Sequence, residues 1–202
     1  MRKLFDHIED IHIKGSPENL TAAVTAMDMS LQNIAAGTER LAGLLLRYSN
    51  SNKGIQFTKA VEAVVSLSNV LYDASVELNE MQNEVVRYQN KIFRYEDRKG
   101  SATVPNKHMV QKVTVTADDT SVQFGLTEMT SLLKMLGDYH EFVMRHGREL
   151  IQKKDQLASI WMDRQYRVFS DHIEEIVGMI EQALKVLDEY RTDLDTKIKE
   201  LY

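Results

Sequence analysis

The sequence contains no cysteine, which excludes disulfides, thiolate nucleophiles and cysteine-ligated zinc sites. Its two prolines and nine glycines are few for 202 residues, so residues that break helices are scarce. No apolar run approaches the roughly 20 residues that span a bilayer. The 25 basic residues are outnumbered by 30 acidic ones, and this net charge of −5 argues against binding nucleic acid by bulk electrostatics. The first residues are basic but are soon followed by acids, unlike a Sec signal peptide.

Motifs for nucleotide binding and nucleophilic catalysis are also missing. The sequence has no Gly-x-x-x-x-Gly-Lys-Ser/Thr, Gly-x-Gly-x-x-Gly or Gly-x-Ser-x-Gly pattern. Asp118-Asp119 and Glu174-Glu175 are among the adjacent acid pairs, but neighbouring residues on a helix point about 100° apart, so Glu174 and Glu175 do not share a site. We therefore expect no enzyme activity and no cofactor.

The six histidines give little indication of a metal centre. Glu9 and His12 have the Glu-x-x-His spacing of di-iron bundles, but those proteins need the motif twice, with further carboxylates facing inward. No two histidines lie four residues apart on one helical face. The sequence predicts no metal site.

What the sequence does contain is apolar residues at heptad spacing, in four segments. The first segment starts at Pro17, with Ser16 as a candidate N-cap and Glu18 at the positive end of the helix dipole. A polar turn at residues 49–54 ends it. Its apolar positions are Leu20, Val24, Met27, Leu31, Ile34, Leu41, Leu45 and Tyr48.

The second segment is more regular and predicts a helix that runs to about Arg98, roughly 63 Å long. Twelve consecutive positions follow the a/d rule of a heptad, which we call a seam. They are Phe57, Ala60, Val64, Leu67, Leu71, Ala74, Leu78, Met81, Val85, Tyr88, Ile92 and Tyr95.

Residues 99–123 interrupt the pattern and predict an irregular linker that contains Gly100 and Pro105. Within it, residues 113–116 alternate between valine and threonine. This alternation leaves two alternatives open, a short strand that needs a partner or an extended loop.

Two more helical segments follow, the first starting near Leu126 and the second after a turn at Trp161, with Asp163 as a candidate cap. The last segment repeats the second at an offset of 109 residues, so that Phe57 corresponds to Tyr166. Each half of the chain is then helix, short turn and longer helix. The seams of these two segments include Met129, Leu136, Val143, Leu150, Leu157, Tyr166, Ile173, Ile180, Leu187, Leu194 and Leu201.

The predicted fold class is therefore all-α, with two long antiparallel helical hairpins in a coiled-coil-like four-helix bundle. The predicted units are an N-terminal hairpin (1–98), a linker (99–123) and a C-terminal hairpin (124–202). The heptads leave open whether the seams close within one chain or between chains.

A basic stripe marks the end of the second segment, formed by Arg87, Lys91, Arg94 and Arg98. One interpretation is contact with an anionic partner, either lipid or nucleic acid. The other is the ordinary placement of cations at a helix C-terminus, where they complement the dipole. The ten methionines also have two interpretations: they fill the core, or they form an adaptable groove that binds a partner.

The turn at Trp161-Met162-Asp163, followed by Tyr166 and Phe169, resembles the Trp-x-Gly turn of the WXG helical-hairpin proteins of type VII secretion. The resemblance covers about residues 126–202 and, more loosely, 19–98. It implies secretion-associated hairpins that dimerise through long apolar faces. Asp163 stands where that family has glycine, and no tyrosine is followed four residues later by an acid, as its export signal requires.

These observations predict a non-enzymatic interaction module that binds protein partners through apolar helical faces in a homo- or hetero-oligomer. It would act as an adaptor, chaperone or structural subunit of a secretion or toxin-delivery assembly, in the cytoplasm or after non-Sec export. The alternative is a coiled-coil protein that binds membrane surfaces. The candidate interaction residues are Trp161, Tyr166, Phe169, Phe57, Tyr88, Tyr95, Arg87, Lys91, Arg94 and Arg98.

Overall fold

The computed structural model describes residues 16–123, 125–159, 161 and 164–200. It contains four helices, and across these ranges it has no strand, which confirms the all-α prediction. The helices are α1 (Pro17–Ser49), α2 (Ile55–Tyr95), α3 (Leu126–Ala158) and α4 (Arg164–Glu200).

The four helices form a square bundle in which each packs on two neighbours. The neighbouring pairs are α1–α2, α3–α4, α1–α3 and α2–α4, and the diagonal pairs are not in contact within the described ranges. Neighbours are antiparallel: the Tyr190 hydroxyl near the end of α4, for example, donates to the Gln56 carbonyl at the start of α2 (2.8 Å). Apart from the exposed Tyr95 at the end of α2, the described seam residues of the four helices meet in one hydrophobic core, so the seams close within the chain.

Residues 99–123, the crossover segment, run back along the whole bundle, because α2 ends at the opposite end from where α3 begins. Its two most buried side chains are Val110 and Val113, which are 1% and 4% exposed. Of the two alternatives left open for residues 113–116, the structure has the extended loop and no strand there. The backbone amides of Val110 and Val113 bond to serine hydroxyls of α2, and so no partner strand is needed.

The start of α1 corrects one prediction. Pro17 occupies the first turn as expected, but Ser16 provides no side-chain cap. The Ser16 carbonyl accepts a hydrogen bond from the Asn19 amide (3.0 Å). Hydrogen bonds to its carboxylate lower the pKa of Glu18, with the largest effect from a backbone bond and the next from the Ser16 side chain. The Ser16 hydroxyl is therefore directed to this carboxylate. The other predicted cap, Asp163, lies outside the described residues.

Helix α2 ends at Tyr95, three residues before the predicted end, because the backbone reverses at Asp97. Asp97 has φ = 51°, the left-handed conformation usually taken by glycine. The Arg98 amide donates to the Phe93 carbonyl (3.0 Å) and the Asp97 amide to the Arg94 carbonyl (3.4 Å). This pair of bonds is a Schellman motif, which satisfies the last carbonyls of the helix.

We expect Asp97→Gly to stabilise the protein by about 0.5–1 kcal/mol, because glycine adopts this conformation without the steric penalty of a Cβ atom. Chemical denaturation followed by circular dichroism measures the change. Asp97→Asn is the control that removes the charge while keeping the side-chain size. Equal stabilisation by both variants would contradict the conformational explanation and assign the gain to charge.

Candidate interaction surfaces

Four aromatic side chains form a cluster where the α3–α4 turn meets α2. Trp161 is 2% exposed and lies between Tyr88, Tyr166 and Phe169, with ring centroids 5.9, 5.8 and 5.3 Å away. The Tyr166 hydroxyl donates to the Lys154 carbonyl (2.9 Å), which ties α4 to α3. These four predicted interaction residues are thus brought together as an internal anchor that joins the two hairpins.

Phe57 lies at the opposite end of the bundle and is also buried, at 2% exposure. It does not belong to the aromatic cluster. Next to it in sequence, Gln56 accepts the hydrogen bond from Tyr190, and burial raises the pKa of Tyr190 well above its usual value. This end of the bundle is therefore closed by its own set of contacts between α2 and α4.

The remaining predicted residues, those of the basic stripe and Tyr95, lie on the surface at the end of α2. Arg87 pairs with Glu84 (2.5 Å), and Arg98 pairs with Glu96 (2.6 Å). Lys91 and Arg94 are exposed, and no described carboxylate lies within 4 Å of their charged nitrogens. Tyr95 is 79% exposed. The stripe is therefore half neutralised, with one large aromatic ring beside it.

A face of α1 that sequence reasoning did not single out is nearly free of charge. Residues 19–38 contain one ionisable side chain, Asp28, whose carboxylate lies 3.5 Å from His108 of the crossover segment. A groove of about 490 Å³ runs between this face and α3. Met29, in its wall, is 58% exposed. The α1 lining is Glu18, Thr21, Ala22, Ala23, Thr25, Ala26 and Met29.

Sequence reasoning also missed a polar stripe on α2, at the position next to the d residues of the seam. Its members are buried and recur every seven residues; they are Ser68, Ser75, Gln82 and Gln89. Gln82 donates to the Val24 carbonyl (3.3 Å) and Gln89 to the Pro17 carbonyl (2.7 Å), so both hold α1. The recurrence of serine and glutamine every seven residues could have revealed this stripe from the sequence, because side chains at surface positions seldom repeat with a heptad period.

The two hairpins also share a buried hydrogen bond, between the hydroxyls of Thr38 on α1 and Tyr139 on α3 (2.6 Å). Burial raises the pKa of Tyr139 to about 12, although the bond to Thr38 partly opposes the shift. One helical turn further along α3, the Phe142 ring lies over Gly37, where the absence of a Cβ lets the two helices approach.

The described residues contain no group of three or more potential metal ligands. Three of their four histidines lie apart from one another beside carboxylates: His108 near Asp28, His146 with Glu149 (2.8 Å) and His172 near Glu77 (3.5 Å). Glu174 pairs with the buried Lys154, whereas Glu175 faces His172. The acid pair is therefore divided between two partners, as its spacing on a helix predicts. The Glu9–His12 motif lies outside the described residues.

Comparison of the chain with protein-family models, with curated proteins and with solved structures gives no match. The resemblance to WXG hairpins therefore stays a prediction. Within the described residues, no helix has the length and apolar character needed to cross a membrane.

We expect Trp161→Ala to lower the free energy of unfolding by about 3–5 kcal/mol, because it leaves a cavity between three aromatic rings. Trp161→Phe should lower it less, since the indole nitrogen has no hydrogen-bond partner to lose. Chemical denaturation measures both. Tyr95→Ala is the exposed control, with an expected change within about 0.5 kcal/mol. A loss of under 1 kcal/mol in Trp161→Ala would contradict the anchor role.

We expect the bundle to lose stability at alkaline pH. The raised pKa of Tyr139 means that the folded state keeps a proton which the unfolded chain releases near pH 10. Its contribution is therefore complete below pH 10 and is lost as the pH rises towards 12, by about 2–3 kcal/mol. Denaturation between about pH 8 and pH 11 measures the slope. Tyr139→Phe should make the slope shallower without abolishing it, because burial also raises the pKa of Tyr190. An unchanged slope in Tyr139→Phe would contradict this assignment.

Proposed function

We propose that the protein is a non-enzymatic protein–protein interaction module. The observation that carries this proposal is the uncharged face of α1. Only one of the 20 residues from 19 to 38 is charged, whereas α4 has 15 charged residues among 37. A helix face without charges has little to keep it soluble and monomeric. The groove beside it is mainly apolar, although Glu18 and Lys153 contribute to its lining, and such a groove favours docking of a partner.

The partner we infer is an amphipathic helix lying in the groove between α1 and α3. Because the seams of the four helices are occupied by one another, a partner has to use an outer surface. Ala22 and Ala26 present small side chains to this groove, and a second backbone could approach them closely. The exposed Met29 offers an adaptable apolar contact.

For the biological setting we propose an adaptor, chaperone or structural subunit of a secretion or toxin-delivery assembly. The support is the resemblance of the Trp161 turn and the paired hairpins to WXG proteins. Cytoplasmic residence followed by non-Sec export belongs to the same proposal, as does assembly with further copies or with other chains.

A second candidate function is binding to an anionic membrane surface, favoured by the end of α2. Residues 87–99 contain five basic and two acidic side chains. Lys91 and Arg94 lack ion-pair partners among the described residues, and the exposed Tyr95 ring beside them suits the headgroup region. Salt-sensitive sedimentation with anionic vesicles, lost in Lys91→Glu, Arg94→Glu, would support it; no sedimentation would exclude it.

We expect Met29→Glu to weaken binding to a protein partner at least tenfold, because it places a charge in the groove. Partners are sought by titrating the purified protein with the products of neighbouring genes, using isothermal calorimetry and light scattering. Val186→Glu is the matched control, since Val186 is an apolar side chain 49% exposed on α4. A monomer that binds none of these products, or equal weakening by both variants, would overturn the proposal.

A further inference from the structure

The crossover segment is held on α2 at a regular spacing. Two successive serines of the polar stripe, Ser68 and Ser75, are seven residues apart, which is about 10.5 Å along a helix. They bond the amides of Val113 and Val110, three residues apart, which is about 10 Å along an extended chain. One heptad of α2 therefore matches three residues of an antiparallel extended chain.

Each serine hydroxyl uses both of its hydrogen-bonding functions. Ser75 donates to the Tyr72 carbonyl (2.7 Å) and accepts from the Val110 amide (3.2 Å). Ser68 donates to the Val65 carbonyl (2.9 Å) and accepts from the Val113 amide (3.0 Å). Because the donor is a backbone amide in both cases, these contacts do not depend on which side chain the extended segment carries.

Two asparagines of α2 extend this recognition of the backbone. Asn90 donates to the Ala102 carbonyl (3.0 Å) and accepts from the Ala102 amide (2.8 Å), so one side-chain amide engages both polar groups of a single residue. Asn79 donates to the His108 carbonyl (2.9 Å). Together with the serines, they contact the main chain of the segment at four residues between 102 and 113, and Asn79 also donates to the Met109 sulfur (3.5 Å).

Side chains of the segment add selectivity at a few positions. The crossover segment lies in an outer groove along α1 and α2, in which Val110 and Val113 are buried. These two positions call for side chains of valine size, three residues apart. Lys112 lies over the Tyr72 ring, 4.6 Å from its centroid, and His108 faces Asp28. Residues 101–116 contain two lysines and a histidine but no acid. The groove therefore suits a neutral or basic segment.

We propose that the outer groove along α1 and α2 is a peptide-binding site, with residues 102–113 as its built-in occupant. Its competing ligand is an extended segment of a partner protein that carries valine-sized side chains three residues apart and no acid. This proposal deepens the proposed function, since it rests on the protein having a protein partner. The crossover segment acts as an internal competitor and lowers the apparent affinity of the site.

The occupant can leave without breaking a helix or a strand. Its described contacts with the groove are side-chain bonds from α2, the burial of two valines, the Lys112–Tyr72 and His108–Asp28 contacts, and partial packing on the core by Ala102, Val115 and Ala117.

At the start of the segment, Gly100 has φ = 131°, and a Cβ built there would meet nothing within 4 Å. The chain at Gly100 is therefore not tightly packed against a neighbour. At the far end of the segment, three contacts fix the chain to the α1–α2 turn: the bridge between Lys53 and Gln123, a hydrogen bond from the Gly54 amide to the Asp118 carbonyl (2.8 Å), and the Lys53–Asp118 ion pair (3.1 Å).

The test uses the full chain and a fluorescent peptide of residues 101–116. Val110→Asp, Val113→Asp places two charges in the groove and should release the segment. Fluorescence anisotropy should then show the peptide binding at least tenfold more tightly to this variant than to the wild-type chain. Equal affinity for the two folded proteins, or no binding to either, would overturn the proposal.

Variants of the groove separate specific from incidental binding. In the released background, Ser68→Ala, Ser75→Ala should weaken peptide binding about tenfold, because two amides lose their acceptors. Ser66→Ala is the matched control on an exposed position of the same helix and should leave binding unchanged. Equal effects of the two variants would overturn recognition through the backbone.

A second route covers the case in which the released variant does not fold. A protease site inserted after Asp119, which is exposed, allows one end of the crossover segment to be cut in an otherwise unchanged chain. The peptide should bind the cut protein and not the intact one. If the peptide binds neither the cut nor the intact protein while Met29→Glu still abolishes binding of a protein partner, the proposal for the α1–α2 groove fails and the proposed function stands. If the peptide binds the cut protein but no protein partner is found, the proposed function fails and the peptide-binding site stands.

Discussion

The structure depends on the burial of the α2 seam, because α2 holds two helices and most of the described contacts of the crossover segment. Its apolar positions pack on α1 and α4, and its polar stripe bonds both α1 and the crossover segment. A helix surrounded on three sides needs more than a heptad stripe of apolar residues. The extra contacts are made by short or amide side chains, which satisfy backbone groups of the neighbours without leaving cavities.

The antiparallel order of all four neighbouring pairs determines how far the connection between α2 and α3 has to run. Helix α3 is antiparallel to α1 and therefore begins at the end of the bundle where α2 begins. About 25 extended residues reach up to roughly 80 Å, enough to return along the roughly 62 Å of α2. This topology thus requires a long crossover segment between α2 and α3. Because the segment lies in the α1–α2 groove, it also occupies that groove.

The helices and their seams were predictable from the sequence because burial imposes a seven-residue period that survives in composition. Leu71 and Ile180, for instance, are 1% and 2% exposed, as their seam positions predict. The end of α2 was less predictable, since Asp97 takes a conformation usually reserved for glycine. The surfaces were least predictable: Tyr88 and Tyr95 occupy equivalent heptad positions, but one stacks on Trp161 and the other is exposed beyond the end of the packed core.

The sequence by itself determined that the chain forms four long helices with continuous apolar faces, because helical periodicity is a local property of neighbouring residues. Only the tertiary structure decided that those faces close on one another within the chain, that Trp161 is an internal anchor, and that α1 keeps an uncharged outer face. These outcomes depend on which helix lies beside which, and contacts between residues more than a hundred positions apart, such as Thr38 and Tyr139, leave no periodic signal.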